Sequence, residues 1–317
     1  MANDIPIKVS QPIAFSTDDA KNIILNGDVI DCLKSIPDES VSLVFCSPPY
    51  NTNIPYGSHD DNMPWGVYLK WLEDIWRECH RVLRPGGRLA INIDPITNWD
   101  DDRDEEYIRP IYAELVNMMR NIEGMNFRTE IMWLKHQVVG RATAWGSYTS
   151  CSNPIVRRNH EYVLVWSKGQ WQLPGDSEHS DMTDREFQDW TMSTWELQPE
   201  TRKVGGHPVP FPESLCERVI KLFCYRGDLV LDPFCGSGTT CAVAGRFMRD
   251  YVGIDIDGGY AVHAAQRSFR ERSEAETAES MSPYIPRSER PKTISDTSRE
   301  KGKKNKLPDN QIDLADI

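Results

Sequence analysis

Apolar positions along the chain follow two different periods. Short runs of branched and apolar residues, bounded by polar or Gly/Pro positions, predict seven strands at about 22–26, 41–46, 88–93, 128–135, 161–167, 229–231 and 251–254. Between several of them the period lengthens to three and four residues. Leu69, Leu72, Ile75, Trp76, Cys79, Val82 and Leu83 mark one helix face, which Pro85-Gly86-Gly87 should end. Ile111, Leu115, Met118, Met119 and Ile122 mark a second, and Leu215, Val219, Leu222 and Phe223 a third between Pro212 and Gly227. A fourth helix should run from about Tyr260 to Arg272. Strands alternating with helices predict an α/β fold around a seven-stranded, mainly parallel sheet. No helical pattern separates 128–135 from 161–167, so one strand of that pair should run antiparallel.

The pattern weakens in two places. Residues 169–206 hold three tryptophans (Trp171, Trp190, Trp195), many acids and no sustained period, which predicts a small inserted, loop-rich element. From 273 to 317 apolar residues thin out among mixed charges, Ser and Pro, which predicts a disordered tail. Residues 1–21 read as an N-terminal arm.

Composition narrows the class. With 317 residues, 39% of them apolar, the chain can bury a sizeable core, and its length corresponds to about two domains. No apolar run is long enough to span a membrane, and no basic segment followed by an apolar stretch opens the chain, so a cytoplasmic protein is expected. The eight cysteines contain no CxxC pair, which fits reduced thiols rather than a disulfide framework or structural zinc; no metal site is expected. A net charge of −12 argues against a nucleic-acid partner, because phosphate neutralisation needs Lys and Arg, but binding depends on where the charge sits. The basic residues are nevertheless grouped locally, at Arg81, Arg84 and Arg88, at Arg157 and Arg158, and at Arg202 and Lys203.

Two motifs carry chemistry. Asp232-Pro233-Phe234-Cys235-Gly236-Ser237-Gly238-Thr239-Thr240 follows a predicted strand and opens a helix, the arrangement that brings backbone N–H groups close to a ligand. It lacks the lysine of a phosphate-binding loop, and Cys241 replaces the third glycine of a dinucleotide fingerprint. The next strand ends at Asp255, placed to accept hydrogen bonds from the two hydroxyls of a ribose; Asp257 is the alternative. The second motif, Ser47-Pro48-Pro49-Tyr50, follows the strand 41–46. Two prolines forbid further strand or helix and leave carbonyls without ladder partners. A hydroxyl, rigid carbonyls and a flat ring together suit a planar group bearing an amine.

Ser47–Tyr50 resembles the catalytic motif of amino-group DNA methyltransferases, and Asp232–Thr240 is similar to their S-adenosylmethionine loop. His207-Pro208-Val209-Pro210-Phe211-Pro212 matches the segment before that loop in the β arrangement, in which the catalytic motif comes first. Arg84-Pro85-Gly86-Gly87 and His160-Glu161 sit where the family places secondary motifs. The resemblance spans about residues 22–272. It implies a Rossmann-like sheet in circularly permuted order, with a catalytic half at 22–168, a target-recognition insert at 169–206 and a cofactor half at 207–272. It implies S-adenosyl-L-methionine as cofactor, held by Asp28, His207, Pro208, Phe211, Asp232–Thr240 and Asp255. Double-stranded DNA is the implied substrate, with a cognate restriction endonuclease in the same system. Ser47 in place of Asp leans towards cytosine N4 over adenine N6, although serine occurs with both.

The mechanism expected from this arrangement is a direct displacement. The base leaves the duplex stack, Tyr50 stacks on it, and Ser47 Oγ with the Pro48 carbonyl accepts the two amine hydrogens. Methylation at cytosine C5 needs a cysteine nucleophile, usually after proline, and no cysteine here follows a proline; Cys46 and Cys235 read as packing residues. Arg141, Arg157, Arg158 and Lys203 are the candidate DNA contacts. The rival readings are a glutamine-directed protein methyltransferase or RNA methyltransferase, a DNA-binding module without catalysis, and a nucleotide-dependent oxidoreductase.

Overall fold

The structure, a computed structural model, describes residues 7–9, 21–52, 61–100, 106–135, 146–156, 158–200 and 211–290. In chain order its elements are β1 (Ile7–Val9), β2 (Ile23–Asn26), α1 (Val29–Lys34), β3 (Val41–Cys46), α2 (Trp65–Val82), β4 (Leu83–Ile93), β5 (Thr97–Asp100), β6 (Glu106–Arg109) and α3 (Ile111–Arg120). There follow β7 (Met125–Leu134), β8 (His160–Lys168), α4 (Asp184–Trp190), β9 (Thr194–Glu196), α5 (Glu213–Phe223), β10 (Leu229–Asp232), α6 (Thr239–Arg246), β11 (Asp250–Asp255) and α7 (Gly258–Met281).

One sheet of nine strands runs β1-β2-β11-β10-β3-β4-β8-β7-β9, and β5 pairs separately with β6. All seven predicted strands are in the large sheet. The two additional ones, β1 and β9, are three residues long, too short to register as a period. β8 is the antiparallel strand, pairing with β4 on one side and β7 on the other, while all other neighbours are parallel. Alternate residues of the central strands face opposite layers. Val44, Cys46, Leu89, Ile91 and Leu231 pack with α1, α2 and α3; Leu43, Phe45, Ala90, Val163 and Val230 pack with α5, α6 and α7. β3 is buried along its whole length, as a central parallel strand should be. Strand order reverses between β10 and β3, so the two motif-bearing strands are neighbours although about 185 residues separate their ends.

α2 ends at Val82, ahead of Pro85-Gly86-Gly87 as expected, and that segment forms an irregularity within β4, where Val41 pairs with Leu83 and Leu43 already with Arg88. Gly86 has φ 78°, and a Cβ there would meet the Gln172 carbonyl at 2.1 Å. The described part of the expected insert, residues 169–200, packs onto the sheet. Its first part lies on the start of β4, with Arg88 donating to the Trp171 carbonyl (3.0 Å) and Arg84 to that of Pro174 (3.0 Å), across the sheet from Ser47. Its tryptophans anchor it: Trp195 is fully buried, and Trp190 and Trp171 meet the cations of Lys221 and Arg128. The tail expected from 273 is helical to Met281, held by polar contacts that leave no apolar stripe. Arg226 pairs with both oxygens of Glu279 (2.7 Å each), and Tyr284 Oη donates to the Glu178 carbonyl (2.8 Å). Of the grouped arginines Arg88 is buried, while Arg81 and Arg84 are partly exposed but tied to the fold, Arg81 donating to the Leu33 and Ile36 carbonyls and Arg84 pairing with Asp228 (2.6 Å).

Candidate active site

β3 ends at Cys46, and the loop that follows is tied down from both sides. Tyr68 on α2 donates its hydroxyl to the Pro49 carbonyl at 2.7 Å, whereas no described residue donates to the Pro48 carbonyl. Asn51, buried and at φ 57°, turns the chain. Its N–H and that of Thr52 donate to the two oxygens of Asp61 (2.9 and 3.0 Å), and its side-chain amide exchanges two hydrogen bonds with the backbone of Met63 (2.8 and 2.6 Å). On this rigid base Ser47 Oγ lies 2.9 Å from Tyr50 Oη, which in turn lies 3.4 Å from the Asn92 carbonyl. Either hydroxyl of the pair can donate; when Ser47 donates to Tyr50, both lone pairs of Ser47 Oγ are open to accept from an amine.

The glycine turn follows β10. Gly236 and Gly238 have φ 49° and 78°, the left-handed region that glycine enters without penalty. The turn closes on itself through Gly238 N–H to the Cys235 carbonyl (2.7 Å) and on β11 through Cys235 N–H to the Ile254 carbonyl (2.9 Å). Asp232 accepts from Phe234 N–H at 3.0 Å, and burial pushes its carboxyl up to about 7. Asp255 accepts from Gly236 N–H and Asp257 N–H, each at 2.8 Å, and burial pushes it up to about 6. Beneath the turn there is no room: a Cβ on Gly253 would meet Ile24 Cδ1 at 2.6 Å and Cys241 Sγ at 2.8 Å. Gly253→Ala should cost about 1–3 kcal/mol through overpacking, read as a lower denaturant midpoint with unchanged slope.

A single cavity of about 410 Å³ joins the two motifs. Ser47, Pro48, Pro49 and Tyr50 line one side; Pro233, Phe234, Cys235, Gly236, Ser237, Thr239 and Asp255 line the other. Aromatic side chains of α2 hold the sides at a fixed spacing, for Tyr68 bonds Pro49 while Trp71, 6.2 Å from Tyr68, packs 5.6 Å from Phe234. Of the other expected cofactor residues, Phe211 lines the cavity and stacks 5.4 Å from Phe45. Asp28 lines it too, but its carboxylate caps α1, accepting from Ile30 and Asp31 N–H (2.9 and 3.2 Å). Asp232, Gly238 and Thr240 stand behind the turn and shape it without lining the cavity. Between the two candidate ribose acids, Asp255 faces the cavity and Asp257 caps α7 through Gly259 and Tyr260 N–H (2.8 and 3.0 Å). Burial pushes the Cys46 and Cys235 thiols well up, which suits small neutral packing groups.

His207, Pro208, Arg141, Arg157 and Lys203 lie outside the described residues. Arg158 is described and is tied inward, pairing with Asp94 at 3.2 Å and donating to the Ile96 carbonyl. The sequence reading gave no role to Asn92, Trp133 and Lys135, which line the cavity beside Glu161. Asn92 was visible as an amide in the otherwise apolar run Leu89–Ile93; the other two share its face only because β7 folds back beside β8.

An open, mostly parallel sheet with a cleft between two motif-bearing loops at the point where strand order reverses is the arrangement of a ligand-binding α/β enzyme. The family model described as DNA methylase (N6_N4_Mtase) matches residues 41–266, and the chain belongs to that family. It is 35% identical to the type II methyltransferase M.MjaVI of Methanocaldococcus jannaschii over 180 residues, 57% of this chain and 87% of the relative. It is 31% identical to the type II methyltransferase M.BglII of Bacillus subtilis over 264 residues, 77% of this chain and 68% of the relative. Among solved structures, a candidate DNA modification methylase from Thermus thermophilus, complexed with S-adenosyl-L-methionine, superposes with a TM-score of 0.62 at 30% identity. That match covers 78% of this chain and 93% of the other. The protein is an S-adenosyl-L-methionine-dependent DNA methyltransferase of the amino-methylating kind. The donor set fits this cofactor: a carboxylate for ribose hydroxyls and the apolar sides of Val29, Phe234 and Ile256 for a purine.

Proposed function

We propose that the chain methylates the exocyclic N4 amine of cytosine in duplex DNA, as the modification partner of a restriction endonuclease acting on the same site in the cytoplasm. The observation that carries the choice of base is Ser47, a neutral hydroxyl oriented by Tyr50 at the point where the amine must sit. Asp255 would hold the ribose of the cofactor, with Phe234 against its adenine. The cofactor supplies an electrophilic methyl on sulfur. Transfer would break the sulfur–methyl bond as the nitrogen–methyl bond forms, leaving a neutral thioether. The methylated nitrogen would release one of its two protons to solvent. The rest of the step belongs to the protein. Tyr50 stacks on the everted base, a contact worth about 1–3 kcal/mol. Ser47 Oγ and the Pro48 carbonyl accept the two amine hydrogens, which draws the nitrogen towards a pyramidal shape with its lone pair facing the glycine turn. The tied loop and the α2 aromatics keep that geometry ready before the base arrives, and positioning of this kind supplies much of the rate.

The expected recognition surface is the cleft edge of the sheet. β8 begins at His160 on that edge, and Pro199 and Glu200, which follow β9, line the cavity. The test is direct. Unmethylated DNA of mixed sequence, incubated with protein and cofactor and digested to nucleosides, should yield 4-methylcytosine by mass spectrometry. Finding 6-methyladenine instead would reverse the base; finding neither would remove the activity.

A further inference from the structure

Past Tyr50 the cavity wall carries three polar side chains that neither the amine nor the methyl donor requires. Asn92 on β4, Glu161 on β8 and Lys135 just after β7 come from three adjacent strands and line the same cavity as Ser47. Glu161 is 7% exposed and holds both neighbours. Asn92 Nδ2 donates to its Oε2 at 2.6 Å, and Lys135 Nζ donates to its Oε1. The ammonium also lies 4.7 Å from the centre of the Trp133 ring. A lysine beside a cavity ordinarily extends its charge into water. Here an ion pair and an aromatic face keep it on the wall. Among the described residues Glu161 is its one hydrogen-bond acceptor, so two of its three N–H groups remain for a ligand.

With the amine hydrogens at Ser47 Oγ and the Pro48 carbonyl, the Watson–Crick edge of cytosine continues with ring N3 and then O2, two acceptors in succession. Adenine continues with one acceptor, N1, and then a C–H. A donor-bearing wall matches the first edge and leaves a desolvated donor facing carbon with the second. Unmatched buried donors of this kind discriminate more sharply than pocket shape does. We infer that Lys135, posted on the wall by Glu161, reads the N3/O2 edge of the everted base and makes the pocket selective for cytosine. The inference rests on the cytosine-N4 reading above and names the group that enforces it. Glu161 balances the ammonium, so the lysine does not oppose the positive charge that develops on the amine nitrogen during transfer.

The test uses the full chain and a duplex carrying the methylated site, mapped first on mixed-sequence DNA, together with the same duplex bearing adenine at the target position. Wild type should prefer cytosine by at least about 100-fold in kcat/KM. Lys135→Met should lose about 10- to 100-fold on cytosine, little on adenine, and nothing in cofactor affinity measured by titration, so the preference collapses. Lys135→Arg, which keeps a donor, should recover most of the cytosine rate. Because Lys135→Met leaves Glu161 with a single partner, the double change Lys135→Met with Glu161→Gln is measured in parallel and should show the same collapse. Wild type making 4-methylcytosine while both variants keep its preference would overturn the role of Lys135 alone. Equal loss on both bases would also overturn it. Wild type making only 6-methyladenine would overturn the cytosine reading and this inference with it.

Discussion

Tyr50→Ala should lower the rate of methyl transfer by about 100- to 1,000-fold while leaving S-adenosyl-L-methionine affinity within about twofold. Two losses add. In the proposed mechanism the ring stacks on the everted base, a contact worth about 1–3 kcal/mol. In the proposed orientation Ser47 donates to the Tyr50 hydroxyl, 2.9 Å away, and this keeps the serine proton away from the amine. Without it Ser47 can turn its proton towards the substrate, presenting a donor where an acceptor is needed, and a small misplacement at the reacting centre is enough to cost about 100-fold. Tyr50→Phe separates the two effects: stacking survives, proton orientation does not, and the rate should fall by about 10-fold. Cofactor affinity is the internal control, because Asp255 and the glycine turn belong to the other wall. Single-turnover rates with tritiated cofactor, beside equilibrium titration of cofactor without DNA, check both. Equal losses in rate and affinity for Tyr50→Ala would contradict the division of the cavity into two walls.

Much of this arrangement was legible in the chain because local physics dictates it. Pro48-Pro49 cannot continue a strand, and a Gly-x-Gly turn after a buried strand opens a helix; both features depend on a few adjacent residues. The parallel sheet followed from alternating periods. What could not be read depends on contacts between distant segments. Trp171, Trp190 and Trp195 looked like an exposed loop because no period runs through them, yet Trp195 is fully buried and continues the sheet edge through its pairing with Trp133. Residues 273–281 looked disordered because their helix is fastened by Arg226–Glu279 and not by an apolar face. Lys135 gave no signal at all. A lone lysine in sequence is a surface residue until the β7–β8 pairing sets it beside a buried glutamate.

Asp255→Asn should weaken cofactor binding by about 10- to 100-fold and remove most of its acid dependence. The carboxylate oxygens already accept the N–H groups of Gly236 and Asp257, which aims their remaining lone pairs into the cavity. An amide keeps one acceptor and turns a donor towards the other site, and hydrogen bonds to a charged acceptor carry about 1.5–3 kcal/mol each. The pH dependence follows from burial, which holds the Asp255 carboxyl up at about 6. Below that value the group is protonated and a ribose hydroxyl finds a competing donor, so wild-type affinity should fall by up to about tenfold per unit as pH drops from 6 to 5. The sign for stability is opposite. The folded value lies above the unfolded value of about 3.9, so the cofactor-free protein binds this proton more tightly when folded, and its stability falls as pH rises from about 4 to 6. Two ribose hydroxyls donating to the carboxylate stabilise its charged form, so saturating cofactor should shrink that slope. Calorimetric titrations and thermal melts between pH 4 and 8, with and without cofactor, measure both. A wild-type affinity flat across that range would show that Asp255 does not carry the ribose.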